Sequence, residues 1–148
     1  QVGDVLIPAR IYSEEGTSRY YVENCEWAGA DPALRAFLNR TMAKTLPVKA
    51  LDTVTNDAVY RQTMKKEAAW RALGCAGVDM EAAALLQICA VYGIPAAAML
   101  LASDGHPLSE TNTGWTWGSV NFATIRKRYI DQIVQAGVQL GKELQTGR

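Results

Sequence analysis

The chain has little of what a metal or redox protein needs. It holds three cysteines and a single histidine in 148 residues. Cys25, Cys75 and Cys89 are scattered and form no CxxC, and no Cys/His cluster exists, so no zinc site is expected. An odd set of dispersed cysteines also fits buried thiols in a reducing compartment, here the cytoplasm, better than a disulfide framework. No glycine-rich phosphate loop stands in the sequence. No apolar run is long and unbroken enough to span a membrane, and no signal-type segment opens the chain. Charge of one sign is missing too. Lys+Arg and Asp+Glu are both 15, a net charge of +0, which argues against binding nucleic acid or an anionic membrane by bulk charge. Arg126-Lys127-Arg128 is the one dense basic run, and within a helical pattern it reads as a solvated face. There is no internal repeat, low-complexity segment or linker.

What is present reads as one domain with a real core. Hydrophobic residues make up 49% and charged residues 20%, ordinary for a globular protein. Val2 to Ala9 reads as a strand stopped by Pro8. Asp31-Pro32 starts a helix, with Asp31 as N-cap, Pro32 in the first turn and Leu34, Phe37, Leu38, Met42 and Leu46 on one apolar face; Pro47 ends it. Val48 to Val54 is a second strand, and Asp57 to Leu73 a helix ended by Gly74. Cys75 to Met80 is a third strand. Glu81 to Tyr92 is an apolar helix closed by Gly93. Pro95 to Ala102 is a fourth strand, apolar throughout and therefore expected to be buried on both faces. Residues 105–118 form a loop. An amphipathic helix runs from about Val120 to Leu144. Strand and helix alternate, the signature of an α/β sheet with helices on its faces.

Two strand ends carry acidic residues, Asp79-Met80-Glu81 and Ser103-Asp104. In open α/β sheets ligands bind at the carboxyl ends of strands, so the two ends suggest one polar pocket. Each has two readings. Asp79 can cap the following helix while Glu81 favours its positive end. Equally, a carboxylate there can accept hydrogen bonds from two vicinal hydroxyls, such as the 2′ and 3′ hydroxyls of a ribose, with Met80 as a soft apolar surface beside the sugar. Ser103-Asp104 is a turn after a strand, or a general acid. A purine departs more easily when its N7 gains a proton, and a partly buried carboxyl group can give one.

Taken in order, these segments resemble the nucleoside phosphorylase family of the smaller type. It contains purine nucleoside phosphorylases, uridine phosphorylases and methylthioadenosine nucleosidases. Val2-Gly3-Asp4-Val5-Leu6-Ile7-Pro8 is similar to the family's strand after its first half, and Glu15-Gly16-Thr17-Ser18 to its Gly-Thr/Ala-Ser loop. Thr55-Asn56-Asp57-Ala58-Val59-Tyr60 is similar to the segment lining the base pocket. Val78-Asp79-Met80-Glu81-Ala82-Ala83-Ala84 resembles its V-E-M-E-A-A signature, and Ser103-Asp104 its S-D pair.

The resemblance implies a three-layer, phosphorylase/hydrolase-like domain with a mixed, largely parallel sheet flanked by helices. It implies that Met80 and Glu81 contact ribose and that Asp104 is the catalytic general acid. Thr53, Val54, Tyr60, Asp79 and Ser103 would line the base and sugar pocket; for Val54 and Tyr60 a core role stands beside that reading. His106, close behind the acid, would assist it or simply be exposed. The partner would be a nucleoside or base, leaning to purine because Arg61-Gln62-Thr63-Met64-Lys65 lacks the spacing with which uridine phosphorylases read uracil. No cofactor is implied, only phosphate as co-substrate in a phosphorylase. Relatives form dimers that associate further, so a homo-oligomer is expected.

Two departures stand out. Asp79 replaces the family's usual Glu. The family's phosphate loop and its phosphate-clamping arginines precede the strand matching Val2 to Pro8, so this chain is expected to be a C-terminal portion or a processed product that starts at Gln1. Two functions follow: glycosidic-bond cleavage completed by residues elsewhere, or a non-catalytic nucleoside-binding or self-assembling remnant.

Overall fold

The computed structural model describes residues 1–105, 111, 116–117 and 121–146. His106 lies outside them. Two long bent segments organise the sheets. One contributes β1 (Val5–Leu6) and then β2 (Arg10–Ser13), and the other β4 (Val48–Lys49) and then β5 (Asp52–Thr55). They run parallel along their whole course, pairing Val5 with Val48 and Ile11 with Thr53. Pro8 and the residues between β4 and β5 divide each into two short strands, so one continuous ribbon serves two sheets.

The first sheet has the order β4-β1-β7, where β7 (Leu100–Leu101) is antiparallel to β1. The second has the order β3-β2-β5-β6, with β3 (Trp27–Gly29) antiparallel to β2, and β6 (Cys75–Asp79) parallel to β5. A short pair, β8 (Asp104–Gly105) with β9 (Thr116–Trp117), follows. This is the expected mixed α/β architecture.

Helix α1 (Pro32–Met42) starts where the sequence placed it, since the Asp31 carboxylate accepts the Leu34 N–H at 2.8 Å. It stops one turn short of Leu46, and residues 43–46 form a turn instead. The second helix differs more. The sequence pattern runs from Asp57, but α2 spans only Met64–Ala72 and is capped by Thr63, whose hydroxyl accepts the Lys66 N–H. Asn56 is the reason: its side-chain oxygen accepts the Ala58 N–H, which commits that stretch to a turn before a single 3₁₀ turn at Val59–Arg61. Helix α3 (Ala82–Val91) is as expected and ends at Gly93, whose φ of +66° suits a residue without a Cβ.

The fourth expected strand is the clearest correction. Only Leu100–Leu101 pair, and the segment before them is half-buried at most. Its carbonyls are claimed from outside a ladder: Ala96 O accepts the Asp31 N–H at 2.6 Å, and Met99 O accepts the Tyr129 hydroxyl. The last helix, α4 (Phe122–Thr146), packs on α1, with Ala136 buried in the cluster of Val5, Ile7, Phe37, Met42 and Leu46. A second core, Ile11, Ala28, Ala82, Ala83 and Leu86, fastens α3 to the second sheet. At about 25 cal/mol per Å² such clusters supply the main stabilisation.

Candidate functional site

Pairing with β5 positions β6, and Leu6 of β1 packs against its Gly77. A Cβ on Gly77 would lie 2.6 Å from Leu6 Cδ1, so a side chain there would have to displace the end of the Leu6 side chain. A cleft of about 1010 Å³ lies beside β6. Its walls come from β5, β6 and the segment from Leu100 to Gly105, with part of α2 at one end. The two acidic strand ends do meet in one cleft, as the sequence suggested. They arrive from different sheets, however, and β7 is antiparallel to its neighbour, so they are not adjacent ends of one parallel sheet.

At the end of β6, Asp79 is bound on several sides. Its Oδ1 accepts from the Thr55 hydroxyl (2.8 Å), the Glu81 N–H (3.0 Å) and the Ala82 N–H (2.7 Å), and its Oδ2 lies 3.5 Å from the Thr53 hydroxyl. Thr55 also accepts the Ala83 N–H at 2.9 Å. Asp79 and Thr55 thereby take three N–H groups that the first turn of α3 cannot satisfy itself. The capping reading of Asp79 is what the structure shows, in a residue that also lines the cleft. The aspartate in place of the longer glutamate fits this close work.

Glu81 is different. It stands just outside the first turn of α3, exposed, and its carboxylate makes no hydrogen bond among the described residues. Met80 beside it is 44% exposed and also faces the cleft. A free carboxylate next to an apolar thioether is a chemically competent seat for a diol with a hydrophobic face. Across the cleft, the Ser103 hydroxyl donates to Asp104 Oδ1 at 2.5 Å, and both residues are half-buried. Among the described residues Asp104 Oδ2 has no partner.

Thr53 and Val54 border the cleft from β5 and are fully buried. Val54 packs with Trp70 and Cys75, so its core role is real. Tyr60 is placed elsewhere: its ring is fully exposed and does not line the cleft, whereas its neighbour Val59 does. Asn56, which the sequence reading included in the base-lining segment but did not single out, is 2% exposed and lines the cleft; the sequence reading missed the pair in which Gln62 Nε2 donates to Glu67 Oε1 at 3.0 Å. A polar residue directly after a strand was the available signal for Asn56.

A second acidic group sits behind the carboxyl ends of β2 and β5. Burial pushes the Glu15 carboxyl up, but hydrogen bonds from Ser18, Ser13 and nearby backbone N–H groups outweigh it and hold the pKa below its ordinary value. Burial likewise opposes the hydrogen bonds from Lys66 and Trp70 that hold Glu14 low. These partners are internal, which marks both acids as structural. Burial, with the nearby Asp52 charge, pushes the Cys75 thiol up to about 11. All three cysteines are free thiols, no acid–thiol–imidazole group among the described residues can hold a metal ion, and no helix there is long and apolar enough to cross a membrane.

Comparisons with known proteins bear on the family and the fold. The model of the phosphorylase superfamily matches residues 1–136. The chain is 31% identical over 116 residues to a DeoD-type purine nucleoside phosphorylase of Exiguobacterium, covering 76% of this chain and 48% of that protein. Its fold is similar to the crystal structure of a purine nucleoside phosphorylase from Toxoplasma gondii, solved in complex with immucillin-H. That match has a TM-score of 0.80 at 20% identity and covers 97% of this chain but 58% of the other. The chain thus spans about half the length of the curated relative it matches, and by the match over residues 1–136 it belongs to the phosphorylase superfamily.

Proposed function

We propose that this chain supplies the sugar- and base-binding side of a nucleoside phosphorylase-type site that cleaves the glycosidic bond of nucleosides, with a preference for purines. One observation carries the reading: a single cleft holds a carboxylate at Glu81 that is unbonded among the described residues and a half-buried one at Asp104 with one bond among them. The first suits the ribose hydroxyls, with Met80 against the sugar. The second suits proton donation to the departing base, with Ser103 orienting it. Thr53, Val54 and Asp79 shape the floor, and Tyr60 stands outside the cleft as this chain presents it. Phosphate would be the co-substrate, and residues beyond this chain would hold it, since no glycine-rich phosphate loop occurs in the sequence.

Cleavage passes through a sugar cation, so leaving-group protonation and a held nucleophile must act together. This chain offers the first. The test is release of free base from inosine, adenosine, methylthioadenosine and uridine, with and without phosphate, alongside calorimetric titration with the same nucleosides. Nucleoside binding with weak or no turnover supports the reading. No binding of any nucleoside sinks it. The alternative, a non-catalytic nucleoside-binding or self-assembling protein, draws on the chain spanning half of its relative. It predicts binding that no added polypeptide converts into turnover.

A further inference from the structure

The residue at a helix N-cap usually takes one of the free N–H groups of the first turn with its own side chain. Helix α3 is built differently. Its N-cap residue is Glu81, and the Glu81 side chain makes no capping hydrogen bond. The acceptors come from elsewhere. Asp79 Oδ1 takes the Ala82 N–H, and the hydroxyl of Thr55, on β5, takes the Ala83 N–H at 2.9 Å. The same hydroxyl donates its proton to Asp79 Oδ1 at 2.8 Å, which fixes its orientation. Thr55 stands opposite Asp79 in the parallel pairing of β5 with β6, and this register brings a residue 28 positions earlier to the start of the helix. Thr55 and Ala83 are both fully buried, so water does not stand in at that N–H. Thr55 does not line the cleft, whereas Glu81 does.

We propose that Thr55 is a positioning residue for the sugar: by capping α3 from the neighbouring strand, it relieves the Glu81 carboxylate of that duty and leaves it open to the cleft. The inference rests on the reading of Glu81 as the ribose seat and adds the reason why this carboxylate is free. An acidic side chain at an N-cap is drawn back onto the first turn by its unpaired N–H groups and by the positive end of the helix. An acceptor already in place at Ala83 removes that pull. Without the Thr55 hydroxyl, a buried N–H loses its partner, and leaving such a donor unmade is costly. Asp79 Oδ1 already meets the N–H groups of Glu81 and Ala82. Glu81, with no bond of its own among the described residues, then becomes the replacement cap, and the ribose loses its acceptor.

The experiment titrates the full chain calorimetrically with inosine and with its free base hypoxanthine, in the parent, Thr55→Val and Thr55→Ser. Valine keeps the shape and removes the hydroxyl; serine keeps the hydroxyl. Thr55→Val should weaken inosine binding about tenfold and leave hypoxanthine within about twofold, and Thr55→Ser should bring inosine back to within about threefold of the parent. A merely structural threonine would move both ligands together. Melting supplies a second arm. Glu81→Ala should leave the melting temperature of the parent nearly unchanged but lower that of Thr55→Val by about 2–4 °C, because there the glutamate has become the cap. Should Thr55→Val misfold, Thr55→Ala serves instead. Four results overturn the proposal: a valine variant that binds inosine like its parent, equal losses for inosine and hypoxanthine, a serine variant as weak as the valine one, or a Glu81→Ala melting shift of the same size in both backgrounds. A parent that binds no inosine sinks the reading of Glu81 as the ribose seat instead, and the melting arm alone then decides whether Thr55 keeps that carboxylate free.

Discussion

Asp79 and Glu81 are two acids two residues apart, and they lead different lives. Asp79 meets three donors within 3.0 Å and a fourth at 3.5 Å; Glu81 meets none among the described residues. Both carry the same functional group at the same strand end. The difference lies in what surrounds each oxygen. A carboxylate saturated by its own backbone holds a fold together, while one left open beside a cavity has its acceptor capacity in reserve for a ligand. Asp104 lies between them, with one bond, from Ser103, among the described residues.

Four substitutions test that contrast. The largest effect belongs to Asp104→Asn. In any preparation with turnover it should slow purine release by about 10²–10⁴-fold, the scale of general-acid catalysis, while the melting temperature stays close to that of the parent. Substrates whose leaving groups need no proton should be much less affected; an equal slowing of both kinds would reduce Asp104 to a turn residue. Glu81→Gln comes next. Hydrogen bonds to a charged group are worth roughly 1.5–3 kcal/mol, so nucleoside affinity should fall about ten- to a hundredfold while free-base affinity barely moves. Calorimetry with nucleoside and base side by side separates this from a general loss of structure.

Asp79→Ala should do the reverse. It removes the cap of α3 and costs about 0.5–2 kcal/mol in chemical denaturation, the range of a lost N-cap. If Asp79→Ala is silent in stability and Glu81→Gln is not, the roles assigned to the pair are exchanged. The smallest effect is in acid. Because Glu15 is held below its ordinary value of 4.5 in the folded state, it contributes stability above that pH. That contribution is lost as the pH falls through its lower folded value. The stability gap between parent and Glu15→Gln should therefore be full near neutrality and close progressively below pH 4.5, as followed by denaturant midpoints at stepped pH. A gap that persists unchanged in acid would mean that Glu15 acts by packing rather than charge.

Much of the site was legible because short-range chemistry wrote it. Asp31-Pro32 announced a helix start through capping alone, and the run from Gly77 to Leu86 announced a strand, a break and a helix. What the sequence did not reveal depended on distant partners. The segment from Pro95 looked like a buried strand because apolar residues are read as core. Its carbonyls instead bond to Asp31 and Tyr129, 30 and more residues away in the chain. Asn56 broke the expected helix by one side-chain hydrogen bond that periodicity cannot register. The placing of the two acids in different sheets was hidden for the same reason, since strand direction is set by pairing and not by composition.

The bent ribbon that joins the sheets bears on how the chain reaches this state. Val5 needs Val48 on one flank and Leu101 on the other, and Ile11 needs Thr53. β1 is therefore among the last strands of this chain to find all its neighbours. Closing such large loops costs entropy before any contact is returned, which makes folding slow in proportion to sequence separation. Until Leu101 has been synthesised, the apolar side chains of Val5, Leu6 and Ile7 stay unsheltered, and that interval is where aggregation of this protein should begin.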